Sequence, residues 1–273
     1  MAPLPDRFPP PAVMGVINVT PDSFSDGGEY LDPGTAVARG VALVADGADV
    51  LDVGGESTRP GSDPVTAEVE MARVLAVIRG LREATDVPIS IDTTKAVVAE
   101  AALAAGASFV NDVSAMRVDP RMADVVAAAG VPVCLMHMRG TPKTMQDDPR
   151  YDDVVAEVAS FLAERVQVAR EAGVSEDAIC IDPGIGFGKT GEHNLLLLRH
   201  LDAIVAVGPP VVIGASRKRF LGAIIGDAER GRAVATAAAN VEAVRRGAWM
   251  VRVHDVRETR EALAVSAAIE HAS

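Results

Sequence analysis

VMGVINVTPDSFSDGG, residues 13–28, begins as an apolar run typical of a β-strand and passes at Asn18 into a polar loop rich in turn residues. Seven more apolar runs end in polar groups: DVLDVGGEST (49–58), VPISIDT (87–93), FVNDVS (109–114), VPVCLMHM (131–138), ICIDPG (179–184), PPVVIGAS (209–216) and WMVRVHD (249–255). Amphipathic, alanine-rich segments that predict helices separate these runs, among them residues 35–46, 66–84, 95–106, 151–173, 192–207 and 231–247. The sequence therefore alternates β and α elements.

This alternation predicts a (β/α)8 TIM barrel with its site at the carboxyl ends of the strands. The length of 273 residues is near the size typical of that fold. A doubly wound open sheet is the alternative, and it would gather polar residues at one switch point rather than at every strand end. Since no linker or charge block divides the chain, we expect residues 1–273 to form one domain.

The charge balance and composition limit the possible partners. A net charge of −12 argues against a broad surface for nucleic acid or for anionic membranes. The sequence has no apolar run long enough for a membrane helix, and its start, MAPLPDRFPPP, lacks a signal-peptide pattern. We therefore expect a cytoplasmic protein, with Cys134 and Cys180 as buried thiols in strands.

Side-chain alternation indicates which polar residues face the barrel interior. It places Asn18 on the inner face of the first strand, Asp52, Gly54 and Glu56 together in the second, and Asp92 in the third. A carboxylate at a strand end can instead cap the next helix, so Asp92 alone is not decisive. In the fourth strand Asn111 and Asp112 have opposite parity, so only one of them faces inward.

The fifth to seventh strands add further groups. Met136 and His137 have opposite parity, and we expect His137 to be structural. The sixth strand ends in Asp182 and a loop with several glycines, IDPGIGFGK. The seventh places Gly214, Ser216 and Lys218 on one face, and Lys218 between two arginines can be either a ligand-binding group or, less readily, a nucleophile.

Arg252 and His254 share the inner face of the eighth strand. Because unpaired charge is costly to bury, we expect a phosphate-type ligand beside them, where such barrels often bind phosphate. Asp and Asn oxygens can accept from an amidine-like pair of N–H groups, and a lysine can donate to a ring carbonyl. The inward set thus predicts a flat, polar, heteroaromatic ligand with a diphosphate tail.

Two loops complete the candidate site. The first, TPDSFSDGG, carries Phe24 and Asp26 and is longer than usual for its position, which favours a functional loop. The second, STRPGSDP, offers Thr58, Arg59 and a Pro60 that stiffens the turn.

Eight motifs in order resemble those of the dihydropteroate synthase family: NVTPDSFSDGG, GGESTRPG, SIDTTK, NDVS, MHMRGTP, IDPGIGFGK, GASRKRF and RVHDV. The resemblance implies condensation of 6-hydroxymethyl-7,8-dihydropterin diphosphate with p-aminobenzoate to give dihydropteroate and diphosphate. It also implies a homodimer and a target of sulfonamides.

Residue roles follow from the same resemblance. It implies that Mg²⁺ is associated with Asn18 and rests mainly on diphosphate oxygens and water. Asp26 either stabilises a cationic intermediate or orients the amine. The implied pterin and diphosphate contacts are Asp92, Asn111, Met136, Asp182, Phe187, Gly214, Lys218, Arg252 and His254. The implied p-aminobenzoate side is Phe24, Asp26, Thr58, Arg59, Pro60, Ser216 and Lys218, and the implied catalytic residues are Phe24, Asp26, Lys218, Arg252 and His254.

Two other functions remain possible at this stage. A folate-dependent methyltransferase would share the Asp and Asn pterin edge, but it should lack the STRP and SRKRF loops. A catalytically silent pterin-binding paralogue should have lost Phe24, Arg59 or the SRK run, and all are present.

Overall fold

The computed structural model describes residues 2–20, 32–226 and 231–272. Within these ranges the predicted (β/α)8 barrel is confirmed, since eight parallel strands form one sheet in the order β6-β5-β4-β3-β2-β1-β8-β7. The strands are β1 Ala12–Asn18, β2 Val50–Gly54, β3 Ile89–Asp92, β4 Phe109–Asp112, β5 Val133–Met136, β6 Ile179–Asp182, β7 Val212–Ile213 and β8 Met250–Val253.

The barrel closes between β6 and the start of β7. A parallel bridge joins Ile181 to Val211, and the Ile181 N–H donates to the Pro210 carbonyl at 3.0 Å. Because every strand is parallel to its neighbours, all carboxyl ends meet at one rim. The polar strand ends predicted from sequence therefore share one opening.

Helices surround the sheet, and the described ranges contain eleven. They are α1 Leu4–Arg7, α2 Pro33–Ala45, α3 Ala67–Ala84, α4 Ala96–Ala105, α5 Met122–Ala129, α6 Val154–Glu171, α7 Gly191–Arg199, α8 Leu201–Val205, α9 Arg219–Ile224, α10 Ala233–Arg245 and α11 Val256–Glu270. None of the helices described is both long and apolar enough to cross a membrane.

Local sequence explains several helix ends. Asp32 accepts from the N–H groups of Gly34 and Thr35 ahead of α2, and Asp153 caps α6 in the same way. Gly106 ends α4 with a φ of 119°, a left-handed conformation that favours glycine. One prediction is wrong: residues 192–207 are not a single helix, because His200 adopts φ −108° and ψ 39° and separates α7 from α8.

Two apolar layers fill the molecule. Outward-facing strand residues such as Val251 and Val253 pack with the buried faces of the helices. A second cluster lies inside the barrel at the amino ends of the strands and includes Phe109, Cys134 and Cys180. Both cysteines are free and buried, as predicted.

The N-terminal segment seals that end of the barrel. Leu4 and Phe8 pack in the inner cluster with Trp249, and the rings of Phe8 and Trp249 meet edge to face at 6.1 Å. The indole N–H of Trp249 donates to the Phe8 carbonyl at 2.8 Å. With apolar side chains closing the amino end, the polar cavity lies at the carboxyl end.

Candidate functional site

A cavity of about 1170 Å³ occupies the carboxyl end of the barrel. Its lining includes many of the residues predicted from sequence: Asn18, Thr58, Arg59, Pro60, Phe187, Gly214, Ser216, Lys218, Arg252 and His254. The other predicted residues within the described ranges, Asp92, Asn111, Met136 and Asp182, are buried at strand ends next to these lining groups. Phe24 and Asp26 lie outside the described residues.

Arg252 is the central cation of the cavity floor. Its Nε donates to Asp52 at 2.6 Å and its Nη2 donates to Asp92 at 2.6 Å. Asn111 donates to the same Asp52 oxygen at 3.0 Å, so Asn111, and not Asp112, faces inward. The argument that burial of Arg252 calls for a bound anion is therefore wrong, because two carboxylates already neutralise it.

Asp52 joins the site although sequence reasoning assigned it no role. The side chain is fully buried and accepts from both Arg252 and Asn111. Side-chain alternation had placed Asp52 on the same inner face of the strand as Gly54. That feature of the sequence could have identified Asp52 as part of the site. The pKa of Arg252 is raised because Asp52 and Asp92 outweigh the effect of burial, so the guanidinium stays charged.

Two carboxylates of the cavity floor, Asp92 and Asp182, have unusual acidity. Burial raises the pKa of Asp92 to about 7, against the attraction of Arg252. Burial also raises the pKa of Asp182 to about 6, although the Gly184 N–H donates to its Oδ1 at 2.6 Å. Each carboxyl group thus titrates close to neutral pH, which is typical of ligand-binding and catalytic sites.

Lys218 and Phe187 form one wall. The Lys218 Nζ lies 3.9 Å from the centroid of the Phe187 ring, a cation–π distance. Burial lowers the pKa of Lys218 to about 8, with a further contribution from Arg252. Phe187 also packs in an apolar cluster with Met136 and Met145, which gives the polar floor an apolar side.

The loop after β6 depends on glycine for close packing. A Cβ at Gly184 would lie 1.9 Å from the His137 carbonyl oxygen, and one at Gly188 would lie 2.6 Å from the Arg139 carbonyl oxygen. Both glycines have positive φ. The IDPGIGFGK segment is therefore pressed against the end of β5, and this contact fixes the position of Phe187.

His254 lies between two polar partners. Its Nδ1 is 3.0 Å from the Ser216 hydroxyl, and its Nε2 is 3.4 Å from the Asn18 amide nitrogen. Burial, reinforced by Arg252, lowers the pKa of His254 to about 3. The imidazole is therefore neutral at pH 7 and does not need an anion in order to be buried, so the argument from buried charge fails for His254 as it does for Arg252.

His137 is structural, as expected. It packs edge to face on Phe161 of α6 at 4.8 Å between ring centroids, on the outer side of β5. Its Nδ1 lies 2.9 Å from the Nζ of Lys189, which also donates to the Phe187 carbonyl at 3.0 Å. Burial lowers the pKa of His137 to about 2 and that of Lys189 to about 7. Sequence reasoning did not single out Lys189, although it ends the glycine-rich motif.

The described ranges contain no group of three or more His, Cys, Asp or Glu side chains that could hold a metal ion. Asn18 presents a neutral amide to the cavity, and its nitrogen faces His254. The amide oxygen is a ligand type that suits Mg²⁺, an ion that usually combines few protein ligands with phosphate oxygens and water. The residues therefore fit a cation that arrives with a phosphate ligand.

Comparison with known proteins gives a consistent result. Residues 14–254 match the family described as "Pterin binding enzyme". The chain is 51% identical over 270 residues to dihydropteroate synthase of Mycobacterium leprae (strain TN), which covers 96% of this chain and 95% of that protein.

Two solved structures have the same fold. Dihydropteroate synthase of Xanthomonas albilineans with 4-aminobenzoic acid is 48% identical, covers 96% of this chain and 94% of that chain, and has a TM-score of 0.90. The enzyme from the same organism in complex with 7,8-dihydropteroate is 45% identical, covers 96% and 95%, and has a TM-score of 0.87.

Proposed function

This chain belongs to the family of pterin-binding enzymes, and from that premise we propose that it condenses 6-hydroxymethyl-7,8-dihydropterin diphosphate with p-aminobenzoate. The products are 7,8-dihydropteroate and diphosphate, so the chain is a transferase of folate biosynthesis. The single observation that carries the proposal is the buried floor of Asp92, Asn111 and Asp182 beside Lys218 and Arg252, within a chain that is similar over nearly its whole length to dihydropteroate synthases.

The floor can recognise a pterin through complementary hydrogen bonds. The free Oδ2 side of Asp182 accepts from the ring N–H and amino groups, since its Oδ1 is occupied by Gly184. The amide oxygen of Asn111 accepts a further N–H, because its nitrogen is directed to Asp52. Lys218 donates to the ring carbonyl, and the ring stacks between Phe187 and the flat face of Arg252.

The departing diphosphate needs positive charge and hydrogen-bond donors. Arg252 and Arg59 line the cavity and supply charge. His254 is neutral in the free protein, and a nearby polyanion raises its pKa so that it donates or becomes charged. These groups stabilise the negative charge that develops as the C–O bond breaks. The resulting methylene cation is delocalised into the electron-rich dihydropterin ring, and the aniline nitrogen attacks it.

We propose that Mg²⁺ is the cofactor, held by Asn18 together with diphosphate oxygens and water. Bound Mg²⁺ would neutralise charge on the leaving group. Asn18 is suited to this role because it lines the cavity beside His254, on the side where the diphosphate is expected.

The p-aminobenzoate side is assigned to Thr58, Pro60 and Ser216, together with Phe24 and Asp26 of the first loop. Thr58, Pro60 and Ser216 line one cavity with Arg252, so an amine held by them can approach a pterin on the floor. Ser216 is also hydrogen-bonded to His254. This contact connects the proposed p-aminobenzoate pocket to the residue proposed to bind the diphosphate.

One assay tests the proposed function. Purified protein with both substrates and Mg²⁺ should form dihydropteroate and release one diphosphate per product. A protein that binds pterin with no turnover would instead be the silent paralogue. Transfer of a methyl group from a folate, with no product from p-aminobenzoate, would favour the methyltransferase.

We also propose that the protein is a cytoplasmic homodimer. A homodimer is supported by exposed apolar residues on one face of α11, where Val265 is 62% and Ile269 is 71% exposed. The free thiols of Cys134 and Cys180, which are register partners on β5 and β6, suit a reducing compartment. Sedimentation equilibrium at micromolar concentration should give twice the chain mass, and a monomer there would refute the dimer.

A further inference from the structure

Lys95, which lies between β3 and α4, is held between two carboxylates. Its Nζ is 2.7 Å from Glu56 Oε2 and 2.6 Å from Glu70 Oε2. The exposed fractions of the three side chains are 21%, 17% and 0% respectively. Burial of such a charged cluster is unfavourable unless its hydrogen-bonding geometry is maintained. Its presence at this position therefore calls for an explanation. The reaction proposed above assigns no role to any of the three.

Glu56 connects this cluster to the loop between β2 and α3. The oxygen that meets Lys95 also accepts from the Val65 N–H at 2.8 Å. One carboxylate therefore fixes both ends of residues 57–64. Gly55, just before it, packs so closely on α3 that a Cβ there would lie 2.7 Å from Val74 Cγ1. The loop is thus fixed to α3 and to the start of α4.

The loop fixed in this way carries Thr58, Arg59 and Pro60 to the cavity. Within it, the Ser62 hydroxyl lies 2.5 Å from the Ser57 carbonyl oxygen, which makes the turn compact. A second ion pair to the same loop, Lys143 with Asp63 at 2.6 Å, has side chains that are 63% and 77% exposed. Exposed pairs of that kind contribute little to stability, so the buried pair is the stronger restraint of the two. The Gly61 N–H, which donates to the Pro142 carbonyl at 3.0 Å, also holds this loop.

We propose that Lys95 is a positioning residue for the second substrate. Through Glu56, and with Glu70 as its fixed counter-charge, it holds residues 57–64 in the shape that presents Thr58 and Pro60 to p-aminobenzoate. Lys95 does not line the cavity and acts only through the loop. This inference rests on the proposed function and adds a determinant of amine binding that is separate from the pterin floor.

The test uses three variants of the full chain. Glu56→Ala removes the carboxylate that links Lys95 to the Val65 N–H and leaves the Lys95–Glu70 pair intact, so the protein should fold. The double variant Lys95→Met/Glu70→Met removes the anchor together with the fully buried carboxylate. It retains Glu56, which is 17% exposed and keeps its hydrogen bond from the Val65 N–H. Lys143→Met is the matched control, because it removes the exposed ion pair from the same loop. Steady-state kinetics, calorimetric titration of pterin and hydrogen exchange at the Val65 amide are measured for each.

Both test variants should raise the KM for p-aminobenzoate by roughly tenfold, equivalent to about 1.4 kcal/mol. Pterin affinity and kcat should change by less than about twofold, and Val65 should exchange faster. Lys143→Met should resemble the parent. Equal loss of affinity for both substrates, or an effect of Glu56→Ala alone, would overturn the inference. Absence of turnover in the parent would instead refute the proposed function. Hydrogen exchange at the Val65 amide would still test whether Lys95 holds the loop through Glu56.

Discussion

Replacement of Asp182 by asparagine tests the pterin floor most directly. The Gly184 N–H donates to Asp182 Oδ1, while Oδ2 lies 3.6 Å from where Gly214, a cavity-lining residue, would carry a Cβ. Asparagine can keep the first contact through its amide oxygen. It then presents an NH₂ group where the carboxylate oxygen had faced the N–H groups of the ligand.

The expected loss has two parts. Loss of a hydrogen bond to a charged group costs about 1.5 to 3 kcal/mol. In addition, the new NH₂ group faces an N–H of the ligand, and the donor that is left without an acceptor costs about 1 to 3 kcal/mol. Together they weaken pterin binding by about 2.5 to 6 kcal/mol, which is roughly seventyfold to above ten thousandfold in Kd. Calorimetric titration of 6-hydroxymethylpterin at pH 7.5 measures this directly.

Asp112→Asn is the matched control. Asp112 is also a buried carboxylate at a strand end that accepts from the N–H two residues later, but it faces away from the cavity and bonds to Ser114 and Met116. It should lose stability without losing pterin affinity. If Asp182→Asn weakens binding less than about tenfold, or if Asp112→Asn weakens it equally, Asp182 does not recognise the pterin.

The acidity of Asp182 gives this prediction a pH dependence. Burial raises its pKa to about 6, so the carboxylate needed for binding dominates above pH 6 and the neutral acid dominates below. Pterin affinity in the parent protein should fall about tenfold per pH unit below that value. In Asp182→Asn the part of this fall that belongs to Asp182 should disappear, and only the dependence that comes from Asp92, whose pKa is raised to about 7, should remain. A parent profile that is level from pH 7 to 5 would contradict the assignment.

Other predictions concern the remaining parts of the site. Arg252→Ala should weaken binding of the diphosphate-bearing substrate more than binding of the bare pterin, and equal losses in calorimetry would mean that Arg252 acts by stacking alone. Asp52→Asn leaves Arg252 with Asp92 as its only carboxylate partner and should lower the free energy of unfolding by about 2 to 3 kcal/mol in urea titrations. An unchanged free energy of unfolding would show that the Asp52–Arg252 pair does not stabilise the fold. Sulfonamides should compete with p-aminobenzoate, whose aniline ring they mimic, whereas a noncompetitive pattern would separate the two sites.

The face of each strand residue was predictable from sequence because a pleated strand fixes the direction of its side chains. Alternation assigned Asn18 and Asp92 to the inner face, and both are at the cavity or its floor. It did not decide between Asn111 and Asp112, whereas the contact of Asn111 with Asp52 does. Alternation carries no information about the stagger between strands. The roles of these residues, and the single-domain organisation of the chain, stay predictions.

The pairing of Arg252 with Asp52 depends on the stagger, which is the offset of neighbouring strands along the barrel. β1 lies between their strands, and along it Arg252 is level with Met14 whereas Asp52 is level with Val16. The long arginine side chain spans that offset across the barrel interior. No local pattern encodes such a contact between residues 200 positions apart. The premise that Arg252 is buried without a counter-charge was wrong for this reason.

The seal at the amino end of the barrel contains the only tryptophan in the sequence. Trp249 donates to the carbonyl of Phe8, a residue 241 positions earlier, and both are buried. Its indole emission is therefore an optical probe of the moment at which the first and last parts of the chain meet. During synthesis that contact cannot form before Trp249 has left the ribosome, so a single fluorophore reports when the segment before β1 meets the segment before β8.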